Sequence, residues 1–232
     1  GGFMNNCYLD AEAVITFFRM TGRKHIFITG SRGSGKSHLV NNMLKYMSDS
    51  FNLLQSHRTD TPQVVIKSNL VADNKEFVIG IPRTSGINPV SKGNNMTIIE
   101  DGFINCAIPA IDTHLDTTPE RLFVIDELGY LESSCIPFQK AVEKLLDNSH
   151  VLAVIRKQST EFLNRICNRK DVLVIDIDNT FETLSCIIMA SGMSKRFGSN
   201  KLITDFNGRS LFENAVSILS LIHISEPTRH AQ

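Results

Sequence analysis

His25-Ile26-Phe27-Ile28-Thr29-Gly30-Ser31-Arg32-Gly33-Ser34-Gly35-Lys36-Ser37 is the stretch on which the fold turns. Residues 25–29 read as a buried strand, and Leu39, Val40, Met43, Leu44 and Met47 recur at helical spacing beyond it. Between strand and helix, residues 30–37 fill the pattern G-x-x-x-x-G-K-[ST] without a mismatch. Glycines let such a loop take backbone angles closed to other residues, so successive N–H groups can point inward at phosphate oxygens. The helix that follows adds its positive N-terminal end. Gly30, Ser31, Arg32, Gly33, Ser34, Gly35, Lys36, Ser37 and His38 are therefore the expected nucleotide-binding residues. Lys36 is expected to act in catalysis, reaching the β- and γ-phosphates as a point charge, while the Ser37 hydroxyl binds Mg²⁺.

A second strand supports this site. Leu122-Phe123-Val124-Ile125 is apolar and ends in Asp126-Glu127. Ligands of parallel α/β sheets sit at the carboxyl ends of strands, which puts both acids near the glycine loop. Asp126 suits the metal's outer coordination, and Glu127 suits a catalytic base that orients the attacking water.

The rest of the chain follows an αβ rhythm. Residues 10–20 form an amphipathic helix, 64–66 and 77–81 read as strands around a turn at 72–75, and 84–96 as a polar loop. A helix over 138–146, a strand over 151–155, a helix over 159–167 and a strand over 172–175 come next, then a polar linker over 176–183. Alternation of this kind predicts an α/β fold with a mostly parallel sheet and helices on both faces.

Composition excludes several roles. Lys plus Arg and Asp plus Glu number 24 each, so no basic excess suggests nucleic acid as a partner. Apolar runs are too short for a transmembrane helix, and the N-terminus lacks signal-peptide character, so no membrane association is expected. Cys7, Cys106, Cys135, Cys167 and Cys186 contain no CxxC pair and read as scattered core thiols of a reducing cytoplasm.

The loop, the run Ile125-Asp126-Glu127-Leu128-Gly129-Tyr130-Leu131-Glu132, the segment Val151-Leu152-Ala153-Val154-Ile155-Arg156-Lys157 and Arg169-Lys170-Asp171-Val172 resemble the small nucleoside-triphosphatases first described from thermophiles. The resemblance covers residues 23–178, weakest over 50–120. It implies a P-loop fold, a strand-end Asp-Glu, and hydrolysis of ATP or GTP with loose base preference. The family usually carries Lys where this chain has Tyr130, which puts any role of that lysine in doubt. Asn168-Arg169-Lys170-Asp171 departs from the guanine-reading N-K-x-D pattern at its second residue and reads as a solvated helix end. Rival uses of the same loop are transfer of phosphate to a small acceptor, and a nucleotide-dependent adaptor for cofactor delivery.

A second glycine loop follows an expected strand over 184–190. Met189-Ala190-Ser191-Gly192-Met193-Ser194-Lys195-Arg196-Phe197-Gly198-Ser199-Asn200-Lys201 resembles the opening of MobA-like nucleotidyltransferases, with Ser191 for the second alanine. Gly192, Ser194, Arg196, Gly198 and Lys201 would form an incomplete second nucleotide site, and the resemblance implies a link to molybdenum-cofactor maturation with a molybdoenzyme or maturation protein as partner. Residues 219–232 resemble a translated sequencing adapter and are expected to lie outside any native fold. The expected organisation is a helical lead-in over 1–22, a P-loop NTPase domain over 23–178, a linker over 179–183, a truncated α/β nucleotidyltransferase start over 184–218, and the tail.

Overall fold

The computed structural model describes residues 10–48, 50–83, 96–178, 205–206, 209–210 and 213. Helix α1 (Ala11–Thr21) starts at Asp10, whose carboxylate accepts from the Glu12 N–H, and stops at Gly22 in the left-handed region. Strand β1 (His25–Gly30) runs through the glycine loop into α2 (Lys36–Met47). Four strands follow: β2 (Phe51–Arg58), β3 (Val64–Ser68), β4 (Phe77–Pro82) and β5 (Met96–Ile98). Helical structure then continues through α3 (Glu100–Gly102), a π-helical turn (Phe103–Ala107) and α4 (Ile108–Thr117). Strand β6 (Leu122–Leu128), helix α5 (Ile136–Asn148), strand β7 (His150–Arg156), helix α6 (Glu161–Cys167) and strand β8 (Val172–Asp176) complete the main layer.

These strands form one sheet in the order β5-β4-β3-β2-β6-β7-β1-β8. From β2 to β8 every pairing is parallel, whereas β2, β3, β4 and β5 pair antiparallel. The fold is therefore α/β, with a mostly parallel but mixed sheet. Residues 59–63 alone join β2 to β3, too short a connection for a parallel crossover, so that end of the sheet must meander.

Helices cover both faces. One packs α1 and α2 through Val14, Ile15, Leu39, Val40 and Met43 onto Ile26, Ile28, Val124, Leu152 and Val154. The other packs Phe103, Ile111, Phe138, Val142 and Phe162 onto Phe27, Phe123, Ile125, Val151 and Ile155. Successive strand residues thus alternate between two cores, which is why β1, β6 and β7 read as continuous apolar runs.

Strands β2 and β5 and the helical run over 100–117 were not foreseen, β5 beginning where the expected loop over 84–96 ends. Strand β2 alternates only weakly, because Gln55, Ser56 and His57 lie on its half-buried outer part. Over 100–117, Gly102 and Pro109 mask the helical pattern. Pro109 has no N–H to donate, and the helix widens to a π turn immediately before it, where Ile108 N–H reaches the Phe103 carbonyl. The polar stretch from Asp176 is not all linker: Asp176 ends β8, and Ile177 N–H donates to the Thr29 carbonyl at 2.9 Å. Residues 179–183, the strand and glycine loop expected over 184–200, and residues 219–232 lie outside the described residues. Between them, Asp205–Phe206 and Arg209–Ser210 pair antiparallel. Among the described residues, no helix is long and apolar enough to cross a membrane.

Candidate functional site

The strand order brings the site together. Strand β7 lies between β1 and β6, so the glycine loop, the Arg156-Lys157 pair and the Asp126-Glu127 pair emerge side by side at the carboxyl ends of three neighbouring parallel strands. The loop, except Ser34, lines a cavity of about 620 Å³ together with Glu127, Arg156, Lys157 and Arg58, whereas Asp126 is not part of its wall.

The loop has the backbone its sequence requires. Gly33 and Gly35 sit at φ 77° and 92°, values that an L side chain would strain. Gly35 N-caps α2, leaving the first N–H groups of that helix for a ligand. Lys36 Nζ donates to the carbonyls of Gly30 at 3.0 Å and Ser31 at 2.8 Å. Ser37 and His38 are exposed on the cavity wall, with His38 Nε2 3.0 Å from Asn42 Nδ2. Arg32 lines the cavity as well, while the Ser34 hydroxyl turns to the Ser31 carbonyl at 2.7 Å.

Asp126 and Glu127 differ in setting. Asp126 is half-buried, and desolvation pushes its carboxyl up; Gln55, 3.5 Å away, and the Lys36 ammonium work against that, whereas Glu127 adds to it. Glu127 lines the cavity and forms an ion pair with Arg156 Nε. A β-bulge separates the two acids: β6 pairs in register to Asp126↔Val154, then resumes at Leu128↔Ile155, so Glu127 is the extra residue.

Arg156, Lys157 and Arg58 have no part in the sequence-level site. Arg156 crosses Gly129, where a Cβ would meet its Cδ at 2.8 Å. Lys157 bridges Asp176 at 2.8 Å and Asp178 at 3.2 Å, and Asp178 in turn accepts from the Ser31 N–H at 2.6 Å and its hydroxyl at 3.1 Å. A basic pair ending an apolar strand obeys the same strand-end rule as Asp126-Glu127 and could have been found by it. Arg58 could not, because β2 itself was missed.

The Ser37 hydroxyl and the Asp126 carboxylate are hard oxygen donors on the P-loop side of the sheet. Oxygen donors of this kind suit a hard divalent cation that keeps several waters and takes its other ligands from phosphates. Among the described cysteines, burial pushes the Cys106 and Cys167 thiols up to about 11 and that of Cys135 upward as well, away from thiolate chemistry. Gly192, Ser194, Arg196, Gly198 and Lys201 lie outside the described residues.

A profile of the NTPase family matches residues 25–185, which takes in the loop, both acids and the Arg156-Lys157 pair. The chain belongs to the NTPase family. Its relatives include the nucleoside-triphosphatase THEP1 of Thermotoga sp. (strain RQ2), 26% identical over 155 residues that make up 66% of this chain and 86% of the relative. THEP1 of Thermotoga maritima is 23% identical over 154 residues, 66% of this chain and 86% of that one. The fold of this NTPase is also that of two solved structures. THEP1 from Aquifex aeolicus superimposes with a TM-score of 0.53 at 18% identity, over 67% of this chain and 91% of that one. A human cancer-related nucleoside triphosphatase gives 0.50 at 19% identity, over 66% and 88%.

Proposed function

We propose that this chain hydrolyses a nucleoside triphosphate, ATP or GTP, to the diphosphate and phosphate with Mg²⁺. The reading is carried by one observation: Glu127 lines the same cavity as a complete P-loop, in a member of the NTPase family. In this mechanism the loop N–H groups and Lys36 hold the β- and γ-phosphates. Ser37 and Asp126 would hold Mg²⁺, which when bound would supply neutralisation of charge on the phosphate oxygens. Glu127 takes a proton from water as the water oxygen attacks the γ-phosphorus and the bond to the β-phosphate oxygen breaks. Arg156 exchanges Glu127 for the charge developing on the transferring group. His38, exposed at the start of α2, lies within reach of the nucleotide's outer part.

The test is phosphate release in the absence of any acceptor, measured beside Glu127→Gln. That variant keeps shape and removes the base, so turnover falls by roughly 10²–10⁴ while a non-hydrolysable analogue still binds. Equal losses in binding and turnover would make Glu127 a structural residue or a metal ligand instead. Transfer of the γ-phosphoryl group to an added acceptor, with no free phosphate released in its absence, would make the protein a kinase.

Three finer parts rest on sequence alone. Scattered thiols without a disulfide framework support a reducing, cytoplasmic setting. Balanced charge supports the absence of a nucleic-acid partner. A MobA-like start over 184–218, tying the parent protein to molybdenum-cofactor maturation and its partners, rests on the motif around Gly192, Arg196 and Lys201. Nucleotidyl transfer by a protein carrying the whole of that domain tests it.

A further inference from the structure

Glu132 is a carboxylate with no part in the mechanism above, yet it lies beneath it. Its residue is 5% exposed, and burial pushes its carboxyl up. Oε2 accepts from the Gly129 N–H at 2.9 Å, and Oε1 accepts from the Ser56 hydroxyl at 3.2 Å. The Ser56 hydroxyl is also 3.5 Å from the Glu127 carbonyl oxygen. One buried side chain therefore ties down both flanks of the bulge, from β2 on one side and from the turn after β6 on the other.

What the bulge does follows from the two cores. Phe123 and Ile125 face the α4–α5–α6 core, and Val124 faces the α1–α2 core. Strict alternation would send Glu127 into the first core and Leu128 into the second. Leu128 is instead fully buried in the first core. The extra residue restores the alternation for Leu128 and leaves Glu127 free to line the cavity. Gly129 carries a second consequence, because Arg156 packs across it and pairs with Glu127.

We infer that Glu132 is a positioning residue for hydrolysis: by holding Gly129 and Ser56 it fixes the bulge that presents Glu127 to the γ-phosphate end of the cavity. The inference rests on the assignment of Glu127 as the base. Glu132 touches no substrate and acts only through its neighbours.

The experiment uses the full chain, with kcat, KM and the Kd of a non-hydrolysable triphosphate measured for Glu132→Leu, Glu132→Gln and Ser56→Ala, each alone and combined with Glu127→Gln. Leu keeps bulk and removes both acceptors, so kcat falls about 10–10²-fold while Kd changes less than about threefold. Gln offers its amide oxygen to Gly129 N–H and its amide group to the Ser56 hydroxyl, so it restores kcat to within about fivefold of the parent. Ser56→Ala removes one hydrogen bond at little risk to folding and lowers kcat about fivefold, which keeps the test open if Glu132→Leu fails to fold. In the Glu127→Gln background none of these changes lowers kcat further, because the group being positioned is already gone. An unchanged kcat in both Glu132→Leu and Ser56→Ala, a matching loss of nucleotide affinity, or the same fold-loss in the Glu127→Gln background overturns the inference. Wild-type turnover in Glu127→Gln alone overturns instead the assignment on which it rests.

Discussion

Lys36 folds its ammonium back onto the Gly30 and Ser31 carbonyls, so the charge is held at the mouth of its own loop. An ammonium is a compact point charge with three donors, suited to exchanging two carbonyls for two phosphate oxygens. Ser37 offers only a hydroxyl, which in the proposed mechanism serves a metal rather than the phosphates. Lys36→Ala should therefore weaken binding of a non-hydrolysable analogue and suppress turnover together. Ser37→Ala should raise the Mg²⁺ concentration needed for half-maximal turnover, with a smaller effect on the nucleotide. Titration calorimetry with and without Mg²⁺ separates the two, and unchanged affinity in Lys36→Ala would remove the loop from the mechanism.

At the scale of elements, the amino ends of the strands carry buried polar contacts far from the chemistry. Asn52 of β2 donates to His114 Nδ1 at 2.8 Å, His114 Nε2 lies 2.7 Å from the Ser149 hydroxyl, and that hydroxyl reaches the Pro119 carbonyl at 2.8 Å. One neutral tautomer satisfies the chain: Nδ1 accepts, Nε2–H donates to Ser149, and Ser149 donates onward. Burial lowers the His114 pKa, with Glu120 opposing. At the start of β1, His25 is fully buried, its Nδ1 accepting from Val151 N–H at 3.2 Å. Desolvation brings it down to about 4 against the pull of Asp171, whose carboxylate is 3.4 Å away. Both folded-state values lie below the unfolded value, so as pH falls the unfolded chain takes up protons first. The stability that His25 confers is fully present above about pH 6.5 and is lost progressively toward about pH 4, and His114 acts in the same direction. For His25 the loss is at most about 3 kcal/mol. Urea unfolding midpoints should fall steadily from pH 7 to pH 4.5, and His25→Asn should flatten that slope. A midpoint independent of pH over this range would show that neither ring is held neutral.

For the whole molecule, the question is where the NTPase unit ends. The family match runs to residue 185, past the expected boundary at 178. Ile177 N–H bonds to Thr29, and Asp178 clasps Ser31 and Lys157, so the chain after β8 is fastened to the glycine loop. A chain ending at Ser185 should keep kcat within about twofold of the parent and unfold at the same temperature. One ending at Asp176 loses those contacts and should unfold roughly 2–4 °C lower, with weaker nucleotide binding. Thermal scans with hydrolysis rates decide this, and lost activity in the chain ending at Ser185 would extend the catalytic unit beyond the family match.

The sequence by itself determined whatever is built from neighbouring residues. A P-loop is local: its donors, its charge and its metal hydroxyl come from residues 30–37, and the strand and helix that flank it declare themselves by period. The apolar runs of β1, β6 and β7 were legible for the same reason, since burial on both faces leaves no alternation to misread. Asp126 and Glu127 were legible as a strand end, but not as two different environments. Tertiary structure alone decided that difference, because a bulge is defined only against the partner strand, and Leu128 regains its core only through the register with β7. It also decided the antiparallel half of the sheet, the pairing of Arg156 with Glu127, and the place of Glu132 beneath them. Each of these joins residues from different elements, and no periodicity along one strand or helix encodes a contact made across three.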